Sequence, residues 1–193
     1  MSDREIREDG VIRSKFHSGK SRKAYLGKVK EVVVHGTGGG NTLEYVRNGG
    51  RADLYYDAIA LFHYLIESDG TIWEIINPDR WVYHSTRGSK DKNSIGIEME
   101  NLSRDNSADY SQEQYMALHW LIFEYLMDRY PKLDVIMSHK RAIEKRYNGT
   151  RTKQCPGTGF NWNKLASYMQ DRDISYEHLP GYESYWRIRK EIT

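Results

Sequence analysis

Three residues of this chain could share a metal ion, and no two of them are close in sequence: His35, His139 and the only cysteine, Cys155. A catalytic zinc site takes three protein ligands at about 2.0–2.3 Å and keeps a fourth position open, and two imidazoles with one thiolate supply that donor set. The separations are non-local, so this is a constellation rather than a motif; a CxxC pair would be a stronger signal. A lone cysteine is ordinarily a small buried hydrophobe, and on the residue alone that reading stays open. Glu98 and Glu100 form a second candidate set. As i and i+2 on a strand they would stand about 7 Å apart, a spacing that suits a pair of glycosidase carboxylates. That scheme leaves His35, His139 and Cys155 without a role.

The elements that must carry these residues can be read from the local pattern. Glu31-Val32-Val33-Val34-His35 is a β-branched run cut off by Gly36-Thr37-Gly38-Gly39-Gly40. Continuous valines predict a strand buried on both faces, and the glycines predict a loop at its C-terminal end, where sites in open α/β sheets form. The glycine loop lacks the GxxxxGK[ST] pattern and is no phosphate fingerprint. Val135-Ile136-Met137 is a second short strand, ending at Ser138-His139, so both histidines sit at strand termini. Ser94 to Glu100 alternates strictly, with Ile95, Ile97 and Met99 on one face and Gly96, Glu98 and Glu100 on the other, an open acidic surface.

Around these lie supporting elements. Leu61 to Glu67 and Thr71 to Ile76 read as a hairpin turning at Ser68-Asp69-Gly70. Short helices are expected at 42–47, 52–58 and 140–146, and a last one at 161–169. The strongest helix spans 111–130, with a Ser111/Gln114 capping box and Pro131 beyond its end. His119 falls on the apolar face of that helix and is expected to be a packed core histidine. A polar loop runs from Ser85 to Asn93.

Composition bounds the rest. With 193 residues, 38% of them hydrophobic, the chain fits one globular domain with short extensions. The formal net charge of +2 makes the whole molecule no polyanion magnet. Seven basic and no acidic residues fall between Val11 and Lys30, which predicts a solvated basic arm over 1–30. The domain itself is expected over 31–170, with a mixed-charge aromatic tail at 171–193 packing on it or extending it. No aromatic-interleaved basic motif supports nucleic-acid binding. One cysteine excludes an internal disulfide. The polar N-terminus lacks a signal-peptide pattern and no apolar run reaches a membrane span, so synthesis in the cytoplasm is expected.

Five segments in this order carry a family resemblance: the valine strand ending at His35, Phe62-His63-Tyr64-Leu65-Ile66-Glu67-Ser68-Asp69-Gly70-Thr71-Ile72, Asn93-Ser94-Ile95-Gly96-Ile97-Glu98-Met99-Glu100, Ser138-His139, and Lys153-Gln154-Cys155-Pro156-Gly157. Over roughly residues 31 to 170 the chain resembles the type 2 N-acetylmuramoyl-L-alanine amidases, the zinc family that includes the phage lysozyme-amidases and is related to the peptidoglycan recognition proteins. The resemblance implies an α/β fold, a single domain with a central mixed β-sheet flanked by helices. It implies His35, His139 and Cys155 as zinc ligands, and cleavage of the amide between N-acetylmuramic acid and L-alanine of peptidoglycan. Cysteine rather than aspartate at the third ligand leans towards the phage branch, hence an endolysin released onto the wall, acting as a monomer.

Two imidazoles and a thiolate leave a zinc site at net +1, which raises the value of a general base, and Glu98 is the candidate. Lys153 would stabilise the developing oxyanion, a contribution typically of about 3–4 kcal/mol. The resemblance also implies that His84 lines the substrate groove, where it would bind substrate or share in oxyanion stabilisation. His63 matches a structural position. Phe62 stands where phage relatives often carry a catalytic tyrosine, which puts the burden on Glu98. The sixteen-residue step from His139 to Cys155 implies an inserted loop near the site. Two other readings remain: a non-catalytic wall-binding module of the same fold, in which the cysteine is commonly lost, and a cytoplasmic recycling amidase.

Overall fold

The valine strand sits next to the middle of a nine-stranded mixed sheet. The computed structural model describes residues 4–6, 11–14, 22–23, 28–47, 62–85, 89–147, 154–170, 174–178 and 185–190. The expected helix over 52–58, most of the basic arm and Lys153 lie outside the described residues.

In chain order the strands are β1 (Arg4–Ile6), β2 (Ile12–Ser14), β3 (Arg22–Lys23), β4 (Glu31–Gly36), β5 (Tyr64–Ile66), β6 (Ile72–Glu74), β7 (Arg80–Trp81), β8 (Ser94–Met99), β9 (Val135–Ser138), β10 (Ile174–His178) and β11 (Tyr185–Lys190). The large sheet runs β1-β2-β6-β5-β8-β4-β9-β11-β10, and β3 pairs with β7 apart from it. β5, β8, β4 and β9 are mutually parallel, while β6 returns antiparallel to β5 and the β10–β11 hairpin joins β9 antiparallel. Four parallel neighbours at the centre of the sheet explain why Val32, Val33 and Val34 are fully buried: both faces of β4 are covered.

The helices are α1 (Thr42–Arg47), α2 (Gln112–Trp120), α3 (Met127–Arg129), α4 (His139–Tyr147) and α5 (Trp162–Gln170). Alternation divides the sheet residues between two layers. Val32, Val34, Ile95, Ile97 and Met99 face a core built with Tyr115, Leu118, Leu121, Ile122, Leu165 and Met169 from the α2 and α5 side. Val33, Val135 and Met137 face the other way, against Ala142 of α4, and Phe62, Leu65 and Trp73 pack with Val46 of α1. His35 shares the parity of Val33, so it belongs to the α4 face.

The expected 111–130 helix is continuous in space but not uniform. The Ser111/Gln114 capping box forms, α2 follows, and Leu121–Leu126 then widens into a π-helical stretch before α3. A π-stretch admits an extra residue per turn, which shifts the apolar stripe while keeping Leu121, Ile122, Phe123 and Leu126 buried. His119 is buried against Phe123, with Tyr168 beyond, as a core histidine should be. The Ser68-Asp69-Gly70 turn closes the hairpin, with Gly70 at φ +85° and Asp69 Oδ1 accepting from the Thr71 amide at 2.8 Å. The arm expected to be solvated contributes three short strands, β1, β2 and β3. No helix among the described residues is long and apolar enough to cross a membrane.

Candidate active site

Strand register assembles the site. Along the parallel β4–β8 pair, Val33 lies opposite Gly96 and His35 opposite Glu98. Along β4–β9, Val34 lies opposite Ser138, so His139, one step further, comes up beside His35. The two imidazole centroids stand 4.4 Å apart. The loop carrying Cys155 closes the third side: the Lys140 amide donates to the Cys155 carbonyl at 3.0 Å, and the Gly36 amide reaches Cys155 Sγ at 3.4 Å. Ligand atoms of His35, His139 and Cys155 all lie within 4.8 Å of one another, and all three residues are buried. Glu98 brings Oε1 to 3.9 Å from His35 Nδ1, its side chain 19% exposed. The four residues therefore converge, although up to 120 positions separate them.

Hydrogen bonds test whether this donor set suits a cation. His139 Nε2 lies 2.9 Å from the Ser85 carbonyl oxygen. A carbonyl only accepts, so Nε2 carries the hydrogen and Nδ1 holds the ring's lone pair. A neutral imidazole lone pair, a second imidazole and a sulfur within 4.8 Å are the donors zinc prefers. The residues fit a metal ion.

The other expected site residues fall as follows. His84 places Nδ1 at 3.1 Å from His35 Nε2 and Nε2 at 3.0 Å from Ser94 Oγ, so both its ring nitrogens meet protein partners. The open acidic surface expected on β8 is not open. A Cβ on Gly96 would lie 2.5 Å from His84 Cγ, so the ring occupies the space a side chain there would need. Glu98 is half-buried, and Glu100, beyond the end of β8, accepts from the Ser68 amide at 3.1 Å. Phe62 packs with Leu65, Trp73 and Val46 and brings no hydroxyl to the site.

His63 is locked into the frame. Its Nδ1 accepts from the Gly96 amide at 3.0 Å and its Nε2 meets the Arg80 carbonyl at 2.9 Å. Burial, with the neighbouring His84 second, pulls its pKa from 6.5 down to about 3. The unfolded chain binds this proton below about pH 6.5 and the native state does not. His63 therefore contributes stability that is complete above that value and lost as pH falls towards about 3. Urea titrations are expected to show a loss of about 1.4 kcal/mol per pH unit from this group across that window. His63→Gln keeps a donor and an acceptor without the titration and should flatten the acid slope by that amount; parallel slopes would exclude His63 as the source.

Sequence reasoning missed Asn106, a left-handed residue (φ +58°) in the loop after β8. Its side chain accepts from the Gly38 amide at 2.8 Å and donates to the Gly36 carbonyl at 3.3 Å. Its own carbonyl accepts from the Gly159 amide at 3.1 Å. The Tyr110 hydroxyl donates to the Pro156 carbonyl at 2.8 Å, and burial raises that phenol's pKa, so it stays a donor. The end of the His35 strand and the Cys155 loop are thus tied together through one loop. Asn106 acts through backbone contacts across the fold, so no local spacing marks it. Asp91 and Ser85 fall in a polar loop and Ser94 at a strand start, where no local spacing marks them either.

Comparison with known proteins agrees with this architecture. The family model described as N-acetylmuramoyl-L-alanine amidase matches residues 25–158. No curated protein sequence matches the chain. Among solved structures, the N-acetylmuramoyl-L-alanine amidase LysC from Clostridium intestinale is similar at 19% identity, covering 83% of this chain and 97% of its own, with a TM-score of 0.65. The Ph2119 endolysin from a Thermus scotoductus bacteriophage is similar at 23% identity, over 78% of this chain and 90% of its own, with a TM-score of 0.54. The bumblebee peptidoglycan recognition protein PGRP-SA is similar at 18% identity, over 84% and 94%, with a TM-score of 0.58. A mixed sheet flanked by helices, a His-His-Cys cluster at the ends of its parallel strands and a family match over most of its length lead to one conclusion: the chain belongs to the N-acetylmuramoyl-L-alanine amidase family.

Proposed function

We propose that this protein is a zinc-dependent hydrolase of the amide bond between N-acetylmuramic acid and L-alanine in bacterial peptidoglycan, with its catalytic domain over 31–170. The observation that carries the reading is the convergence of His35, His139 and Cys155 with Glu98 beside them, on a chain of the amidase family. In this reading the three residues hold Zn2+. When bound, zinc supplies Lewis acidity, which polarises a carbonyl and acidifies water.

The chain's own groups do the rest. Glu98, half-buried, accepts the proton of the attacking water and delivers it to the departing amine of L-alanine. In this reading Lys153, outside the described residues, supplies the positive charge that stabilises the oxyanion. The partly buried setting of Glu98 strengthens these electrostatic effects by limiting solvent screening. A pure binding module has no need of a carboxylate in this position, which favours the enzyme. The thiolate ligand and the likeness in fold to a phage endolysin favour a lytic role.

The test is digestion of purified peptidoglycan with and without chelator, followed by fragment analysis. Free L-alanine N-termini, abolished by chelator and restored by zinc, are expected. New reducing ends would establish a glycosidase instead, and sedimentation with sacculi without cleavage would establish a binding module. Clearing of intact sacculi supports the endolysin role; cleavage confined to soluble fragments would assign recycling.

A further inference from the structure

Between β7 and β8, the 3₁₀ helix Ser89–Asn93 carries Asp91, which is 1% exposed. Two chains of hydrogen bonds leave it. In the first, the Asp91 carboxylate accepts from Ser85 twice, from Oγ at 2.5 Å and from the amide at 3.3 Å. The carbonyl of Ser85 then meets His139 Nε2 at 2.9 Å. In the second, the Asp91 carbonyl accepts from Ser94 Oγ at 3.3 Å, Ser94 Oγ meets His84 Nε2 at 3.0 Å, and His84 Nδ1 meets His35 Nε2 at 3.1 Å.

The donors and acceptors in the second chain can be assigned one after another. A serine hydroxyl has one hydrogen, and Ser94 gives it to Asp91; it therefore accepts from His84, whose Nε2 must be the protonated nitrogen. In neutral His84 the other nitrogen, Nδ1, is then an acceptor, so the hydrogen in the His35–His84 contact belongs to His35 Nε2. His35 is left with its lone pair on Nδ1, the nitrogen that faces Glu98. The first chain reaches the same result for His139, because the Ser85 carbonyl can only accept. Both imidazoles are thus set as Nε2–H tautomers, which leaves the Nδ1 lone pair of each for an ion shared with Cys155. Gly96 makes the second chain possible, since any side chain there would occupy the place of His84.

We propose that Asp91, with Ser85 on one branch and Ser94 and His84 on the other, is a positioning unit that fixes the tautomer and orientation of both candidate metal-binding histidines. This assigns His84 to holding His35. The proposal rests on His35 and His139 being ligands, not on the reaction they serve. Outer partners of this kind typically change metal affinity by about 10–100-fold.

The test reads tautomers in the metal-free protein and zinc affinity separately, neither of which depends on turnover. Long-range 1H–15N correlation at mildly alkaline pH, where imidazoles are neutral, is expected to show His35 and His139 protonated on Nε2. Either ring protonated on Nδ1 would overturn the proposal from the wild type alone, whatever the variants do. Ser94→Ala is expected to mix the His35 and His84 tautomers, leave His139 unchanged and weaken zinc about 10–100-fold in chelator competition. Ser94→Thr, which keeps the hydroxyl on a strand that tolerates β-branching, should restore affinity to within a few-fold. Asp91→Ala should act on the His139 branch and spare the tautomer of His35, because the Asp91 carbonyl remains. Unchanged tautomers and unchanged affinity in both alanine variants would overturn the proposal. Intact tautomers and zinc affinity without peptidoglycan cleavage would instead overturn the amidase reading and leave this one standing.

Discussion

Glu98→Gln is expected to lower kcat on peptidoglycan by about 10²–10⁴-fold with zinc content unchanged, the range a positioned general base supplies. Glutamine has the size of glutamate and keeps an acceptor oxygen, so packing around the side chain is preserved. What it cannot do is take a proton. Register holds Glu98 opposite His35 on the adjacent parallel strand, and the carboxylate stands 3.9 Å from the His35 ring while retaining 19% exposure. That is close enough to serve a water in the cluster and open enough to exchange with a substrate. Phe62, buried in an apolar cluster, offers no hydroxyl that could substitute. Turnover and zinc stoichiometry should be measured on the same preparations. Activity within about threefold of wild type would remove Glu98 from the chemistry, and zinc lost together with activity would make it a support of the metal site instead.

The His35, Glu98 and His139 part of this site is readable because each of these residues ends or lies on a strongly patterned strand, whereas Cys155 sits on a loop. Three consecutive valines before His35 and the Val-Ile-Met run before His139 mark buried parallel strands, and parallel strands in one sheet align their C-terminal ends. The alternation of β8 placed Glu98 on the correct face but gave that face the wrong character. Half-burial by His84 is a tertiary fact with no counterpart in the local pattern. The same holds for Asn106, whose partners Gly36, Gly38 and Gly159 lie up to 70 residues away in sequence, and for Asp91, whose effect runs through Ser85 and Ser94. The hairpin of β10 and β11 did carry a signal. Trp186 and Ile188 are buried while Arg187 between them is exposed, a period of two masked by the density of charge.

Cys155→Ala is expected to abolish stoichiometric zinc and, with it, peptidoglycan cleavage, while leaving the protein folded. Cys155 is 3% exposed, so removal of its sulfur costs a small cavity, about 1 kcal/mol. The loop does not depend on it. The Gly36 amide loses its contact with Sγ, but the bonds from the Lys140 amide to the Cys155 carbonyl, from Tyr110 to the Pro156 carbonyl and from the Gly159 amide to Asn106 survive the substitution. What disappears is the sulfur donor beside the two imidazoles. A thermal-shift comparison separates the two effects. Zinc at 100 times its dissociation constant stabilises a protein by about 2.7 kcal/mol. The wild-type midpoint should therefore rise on adding zinc, while that of Cys155→Ala starts slightly lower and does not move. Cys155→Ser, with a weaker oxygen donor in the same place, should fall between them. Equal zinc content and equal zinc-dependent shifts in wild type and Cys155→Ala would return Cys155 to the role of a buried hydrophobe and leave His35 and His139 in need of a different third donor.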